Sequence, residues 1–203
     1  MPGLQGFWQV EVEVPEQAVA LFERALGRLG SHVAAIGSAF GMNISCWGRE
    51  GTAARAAAAG YHVPESRKAF FDGVDVLSLH LRLSEATTGI VTAADLERMK
   101  PTSVLVNTSR AQLVEAGALV PALKAGRPGM AALDVFEDEP MRDTAHPLLA
   151  LDNVVLTPHI GYVTLEGLET QFVDIFDQIN AYAAGNPLNV VNPDVLGSAQ
   201  LRR

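Results

Sequence analysis

Five short apolar runs recur along the chain with a helical pattern in most of the gaps, and this rhythm restricts the fold more than any other feature. The runs are NISCW (43–47), VDVLSLHL (74–81), SVLVN (103–107), GMAALDVF (129–136) and NVVLTPHI (153–160). They are short and rich in β-branched residues, as strands buried on both faces of a parallel sheet are. SHVAAIGSAFG (31–41), TAARAAAAG (52–60), AADLERMK (93–100) and EAGALVPALKAG (115–126) repeat apolar residues at helical spacing. Gly60, Gly126 and Gly185 follow such patterns as stop signals. Strand–helix–strand alternation at this pace requires right-handed crossovers, and so an α/β fold: a doubly wound parallel sheet with helices on both faces. A long final helix, LEGLETQFVDIFDQINAYAAG (165–185), carries an apolar face and leads into the Pro/Asn-rich tail NPLNVVNPDVL.

The first thirty residues fit this scheme least. WQVEVEV (8–14) alternates like an edge strand with no obvious partner, and AVALFERA (18–25) is a poor buried strand. Placing Glu23 and Arg24 inside a central strand would desolvate two charges, at a cost of several kcal/mol unless they are well paired. The stretch LGRLGSHVAAIG (26–37) then reads as the glycine-bearing start of a dinucleotide-binding helix, with Gly27 and Gly30 in place and Ala25 where a first glycine belongs. A Cβ at a turn needing positive φ costs roughly 1 kcal/mol or more.

Composition narrows the function classes. With 48% hydrophobic residues the chain suits a globular core, and its formal net charge of -8 argues against sequence-independent binding to nucleic acid or anionic membrane. No run approaches the ~20 apolar residues needed to cross a bilayer, and the N-terminus has neither the basic start nor the apolar run of a signal peptide. The single cysteine, Cys46, excludes an internal disulfide and a cysteine-based zinc site. The expected setting is the cytoplasm.

Ligands of open α/β sheets sit beyond the carboxyl ends of the strands, so the residues that end each run are the ones to inspect. VDVLSLHL brings His80, SVLVN leads to Thr108, Ser109 and Arg110, GMAALDVF brings Asp134 and then Glu137, Asp138 and Glu139, and NVVLTPHI brings His159. Each has a structural alternative: a packed histidine, a surface arginine, an acidic turn stopped by Pro140, a cap for the last helix. Their convergence on one sheet edge favours a site. A planar guanidinium holds a carboxylate by two parallel hydrogen bonds. A histidine exchanges protons near neutrality, and an adjacent carboxylate orients the ring. Beside a dinucleotide crevice, such a set suits hydride transfer to or from a 2-oxo or 2-hydroxy acid. Ser109 lacks a nucleophile elbow, and no histidine or carboxylate spacing predicts a metal site.

LGRLGSHVAAIGSAFGMNI, DVLSLHLRLSEATTGIV, LERMKPTSVLVNTSR, AALDVFEDEP and NVVLTPHIGYVT together strongly resemble the D-isomer-specific 2-hydroxyacid dehydrogenases, in order and with matching gaps from about Leu26 to Leu196. The resemblance implies a Rossmann-type fold and an NAD(P)-dependent oxidoreductase acting on a small D-2-hydroxy acid or 2-oxo acid, of the glyoxylate/hydroxypyruvate reductase kind. It implies a catalytic set of Arg110 as carboxylate anchor, His159 as general acid/base and Glu139 as its partner, with Glu137 the less favoured acid. The cofactor contacts it implies are Gly27, Arg28, Leu29 and Gly30 at the helix start, with Leu81, Thr108, Ser109, Asp134, His159 and Gly161 further on. Where an acid is expected for the ribose hydroxyls stands Gly48, followed by Arg49; that arginine suits a 2′-phosphate, while Glu50 could serve as the ribose acid, so NAD and NADP both stay open. The expected organisation is an irregular lead-in (1–17), an NAD(P)-binding domain (18–164) and a helix with tail (165–203) that is the remnant of a largely missing substrate domain. A homodimer through the cofactor domain follows from the same resemblance. The competing expectations are a catalytically weak or inactive NAD(P)-binding fragment or pseudoenzyme, and a fragment too destabilised to hold a native state.

Overall fold

A computed structural model describes residues 18–22, 28–48 and 51–197 of the chain. Six strands, β1 (Ala18–Phe22), β2 (Asn43–Trp47), β3 (Val76–Leu79), β4 (Val104–Asn107), β5 (Met130–Leu133) and β6 (Val154–Leu156), form one sheet in the order β2-β1-β3-β4-β5-β6. Every pairing is parallel. The chain winds outward from β1 to β2, then returns past β1 to β3 and continues the other way, so the order reverses between β1 and β3. In such sheets that reversal opens a crevice at the carboxyl edge. The register levels this edge: Phe22 pairs with Trp47 and Leu79, Leu79 with Asn107, Asn107 with Leu133, and Leu133 with Leu156. Residues that leave neighbouring strands therefore emerge side by side.

The doubtful first strand is corrected by this topology. Ala18–Phe22 occupies the centre of the sheet, hydrogen-bonded on both sides. Its described bounds are Ala18–Phe22. Glu23, Arg24, Ala25 and the WQVEVEV run lie outside the described residues. β2 matches its run NISCW, while β3 to β6 are shorter than theirs. β3 stops before His80, β5 before Asp134 and β6 before Pro158; the polar ends of those runs are loop.

The helices are α1 (Arg28–Ala39), α2 (Thr52–Ala58), α3 (Arg67–Gly73), α4 (Ala93–Leu96), α5 (Leu119–Lys124) and α6 (Leu165–Ala183). The helical pattern of α3 is too short to register in the sequence, yet it carries much of the core. Phe70 and Phe71 are fully buried, meet edge to face at 5.2 Å, and pack with Leu77, Leu96, Met99 and Leu105. Ser66 caps α3 by accepting from the Ala69 amide. Arg67 then ties α3 to α4, its Nε donating to Asp95 Oδ1 at 2.9 Å while Asp95 closes the capping box with Thr92. Burial alone would raise the Asp95 carboxyl, but the Arg67 and Thr92 hydrogen bonds outweigh it and hold the group below its ordinary value.

Gly129, at the entry to β5, has no room for a side chain: a Cβ there would lie 1.9 Å from the Pro101 carbonyl oxygen. The Gly129 carbonyl also accepts from the Asn153 side chain at 2.9 Å. The obstacle is backbone, so Gly129→Ala must displace either β5 or the β4 approach. It is expected to destabilise the fold by about 3 kcal/mol or more, read as a lowered urea midpoint with unchanged m; a parental midpoint would show that this junction yields freely.

The chain divides after His159 into two compact units. The first holds the sheet and α1–α5. In the second, the 19-residue helix α6 is capped by Thr164, whose hydroxyl accepts from the Gly167 amide, and Phe172 stacks on Phe176 at 6.4 Å. None of its residues is buried. Among the described residues no helix is long and apolar enough to cross a membrane.

Candidate active site

The loop after β4 is built around Asn107, which is buried at 1% exposure. Its Oδ1 accepts from the Ser109 amide at 3.0 Å and its Nδ2 donates to the Arg110 carbonyl at 2.8 Å. Its own carbonyl accepts from the Asp134 amide at 3.0 Å, which locks the exits of β4 and β5 together. Ser109 Oγ donates to the Leu79 carbonyl at 2.7 Å and does the same between β4 and β3. Arg110 is thereby presented from a fixed backbone with its side chain exposed, one Nη1 contact returning to the Ser109 carbonyl at 2.5 Å. Asp134 is buried and accepts from Thr157 Oγ1 at 2.5 Å, joining β5 to β6.

His159 and Glu139 meet across 2.6 Å, Nδ1 to Oε2. The other carboxylate oxygen, Oε1, accepts from the Phe136 amide at 2.9 Å. The hydrogen bond with His159 is the main force holding the Glu139 carboxyl below its ordinary range, the Phe136 amide adds to it, and the charges of His159 and Arg110 contribute less. An ionised carboxylate accepting at Nδ1 fixes the tautomer in which Nδ1 carries hydrogen, so proton exchange falls to Nε2. The His159 backbone sits at φ 57, in the left-handed region. For a residue with a Cβ that costs on the order of 1 kcal/mol and persists only where the surroundings over-determine it. The alternative of His159 as cap of the final helix is excluded, because Thr164 fills that place. Glu137 takes no part in the pair; it lines a separate cavity of about 130 Å³ with Phe136, His146 and Leu148.

Beside this cluster the carboxyl edge opens into a cleft of about 560 Å³, within the size range of small-molecule sites. Leu29 and Gly30 contribute from the first turn of α1, His80 to Leu83 from the exit of β3, and Thr108 to Arg110 from the exit of β4. Among the described residues no carboxylate lines it, and the first turn of α1 carries no acid. His80 is half-buried with Nε2 2.9 Å from Ser78 Oγ, and burial pushes its imidazole below its ordinary value. It is a packed, hydrogen-bonded histidine that stays neutral, so the positive charge of the cleft comes from arginines. The donor set therefore fits an elongated ligand with anionic groups, as a dinucleotide is.

The residues expected to form a site thus fall into three groups. Arg110, Glu139, His159, Asp134, Thr108 and Ser109 converge at the exits of β4, β5 and β6, and Leu29, Gly30 and Leu81 line the adjoining cleft. Arg28 opens α1, and Gly161 lies in the second unit. Gly27, Arg49 and Glu50 lie outside the described residues. Asn107 and Thr157 were not expected. The only sequence signal for Asn107 is an amide closing an otherwise apolar strand.

Residues 10–161 match the family model described as D-isomer specific 2-hydroxyacid dehydrogenase, NAD binding domain. A glyoxylate reductase of Aeropyrum pernix is 40% identical over 174 residues, which cover 84% of this chain and 51% of that protein. Among solved structures, an oxidoreductase from Ralstonia solanacearum superposes with a TM-score of 0.81 at 50% identity, over 92% of this chain and 54% of that one. A D-isomer specific 2-hydroxyacid dehydrogenase from Xanthobacter autotrophicus, solved with NADPH, gives 0.66 at 30% identity over 89% and 73%. The chain spans about half the length of the curated glyoxylate reductases it matches. By the span of the family match and the fold shared with these structures, the chain belongs to the D-isomer specific 2-hydroxyacid dehydrogenase family, through its NAD-binding domain.

Proposed function

We propose that this chain is the NAD(P)-binding part of an oxidoreductase that interconverts a small D-2-hydroxy acid and its 2-oxo acid, in the manner of a glyoxylate or hydroxypyruvate reductase. The observation that carries the reading is the Glu139–His159 pair, with Arg110, on the same sheet edge as a cleft that no described carboxylate lines. Arg110 holds the substrate carboxylate through its guanidinium fork. In reduction His159 releases a proton from Nε2 to the oxygen of the substrate carbonyl, and in oxidation Nε2 takes the proton of the hydroxyl. Glu139 keeps the ring oriented and balances its positive charge. Asp134, fixed by Thr157, and the backbone of Thr108 hold the carboxamide end of the dinucleotide, while Arg28, Leu29 and Gly30 meet its pyrophosphate at the helix start. A bound nicotinamide supplies or accepts the hydride.

NADPH in the Xanthobacter relative and the name of the family model support NADP and NAD respectively as the cofactor. Residues 18–164 are assigned to the cofactor domain and 165–203 to a contribution to a substrate domain. A homodimer through the cofactor domain and a cytoplasmic setting belong to the same reading and rest on the family resemblance. The test is a fluorescence titration with NADH and NADPH, followed by a turnover screen with glyoxylate, hydroxypyruvate and pyruvate. Saturable binding with turnover of one of these acids is the expected result; binding without turnover favours a non-catalytic cofactor module, and no binding removes the reading.

A further inference from the structure

The turn that leaves β3 is rigid where its backbone is concerned and uncommitted at one side chain. Thr87, buried at 6% exposure, donates its hydroxyl to the Arg82 carbonyl at 2.8 Å and accepts from the Ser84 amide at 2.8 Å. The Arg82 backbone is thus pinned. Its guanidinium, by contrast, has no hydrogen-bond or ion-pair partner among the described residues, and it lines the cleft. Arg67, Arg98 and Arg127 of the first unit are engaged, with Asp95, Asp72 and the Met99 carbonyl. In a chain of formal net charge -8, a cation unpaired among the described residues, in a cleft that no described carboxylate lines, is a place for an anion. The sheet order sets the β3 exit between the start of α1, which follows β1, and Arg110, which follows β4. Arg110 is already assigned to the substrate carboxylate, and that leaves Arg82 the phosphate-bearing part of the cleft.

We infer that Arg82 is a specificity-determining residue that binds a phosphate group of the dinucleotide. The inference rests on the proposed dinucleotide reading of the cleft. A charge-assisted contact of this kind changes affinity by roughly 10- to 100-fold. Two phosphates are available: the pyrophosphate, common to NADH and NADPH, and the 2′-phosphate, present in NADPH alone. The experiment is to titrate the parent chain, Arg82→Ala and Arg82→Lys with NADH and with NADPH, reading nucleotide fluorescence at two salt concentrations. The side chain makes no internal bond, so the thermal midpoint without ligand should match the parent in both variants.

Arg82→Ala is expected to weaken binding by that factor and to flatten its salt dependence, and Arg82→Lys, which keeps a point charge without the planar fork, to recover part of it. Equal weakening toward both nucleotides assigns the pyrophosphate; weakening toward NADPH alone assigns the 2′-phosphate. Parental affinity for both in Arg82→Ala overturns the inference, as does an unchanged nucleotide affinity with a raised KM for the acid. A parent chain that binds neither nucleotide overturns the dinucleotide reading itself, a result distinct from failure of Arg82 alone.

Discussion

His159→Ala is expected to lower turnover by roughly 10²- to 10⁴-fold while NADH and NADPH still bind. The argument starts from the division of labour at the sheet edge. The carboxylate anchor comes from β4 and the cleft from α1, β3 and β4, whereas the imidazole comes from the loop after β6. Truncating it removes the group that exchanges a proton with the substrate oxygen and leaves the carboxylate anchor and cleft in place. Hydride transfer would then leave an alkoxide without a proton donor in reduction, or require unassisted loss of a hydroxyl proton in oxidation. The loss should therefore appear in kcat with KM for the acid little changed, and added imidazole should restore part of the rate. Unchanged turnover in this variant would defeat the assignment of His159. Turnover lost together with nucleotide binding would mean that the left-handed turn at His159, rather than the proton, had been disturbed.

The fold was largely legible in the sequence because a doubly wound sheet repeats its signal. Each buried strand is an uninterrupted apolar run, and five of the six runs were located; only their polar ends were assigned to strand where the structure has loop. β1 was the weak reading for a physical reason. AVALF is rich in small residues, and the charges that follow it in sequence resemble an interruption of a strand. Its place came from hydrogen bonds to β2 and β3 on both sides, a tertiary effect that local propensity does not carry. α3 was missed because seven residues hold only two core positions, Phe70 and Phe71, too few for a helical period to emerge.

The candidate site was legible at its charged residues and not at those that hold them. Arg110, Glu139 and His159 stand out because charged groups directly after buried strands need a reason. Glu139 could not be separated from Glu137 by such reasoning alone, since both lie in one acidic turn; the 2.6 Å contact with His159 separates them. Asn107 and Thr157 escaped notice because their work is done by hydrogen bonds between neighbouring strand exits. Such bonds depend on which strands are adjacent, and sequence spacing does not reveal that. Arg82 lay inside a recognised motif, and only the structure sets it apart, without a partner among the described residues and in a cleft that no described acid lines.

Glu139→Gln is expected to lower the rate of 2-oxo acid reduction on the order of 10²-fold. The substitution is nearly isosteric, and the amide oxygen still accepts from the Phe136 amide, so the loop geometry is kept. What is lost is the negative charge against His159 Nδ1. Without it the ring is no longer held with its hydrogen on Nδ1, because the amide nitrogen facing Nδ1 donates to it. The folded-state pKa of Glu139 lies below its ordinary value, chiefly through the His159 hydrogen bond. The stabilisation from the pair is therefore complete above the unfolded carboxylate value of ~4.3. It is lost only as pH falls through the depressed folded value, so from mildly acid to neutral pH the carboxylate stays ionised and the pair intact. Glu139→Asp, which keeps the charge on a shorter arm, should return part of the rate. A merely structural role for Glu139 predicts the reverse ranking, with Gln tolerated and the shorter Asp disruptive. A Glu139→Gln chain with parental rate would remove the carboxylate from the mechanism and leave His159 to act alone.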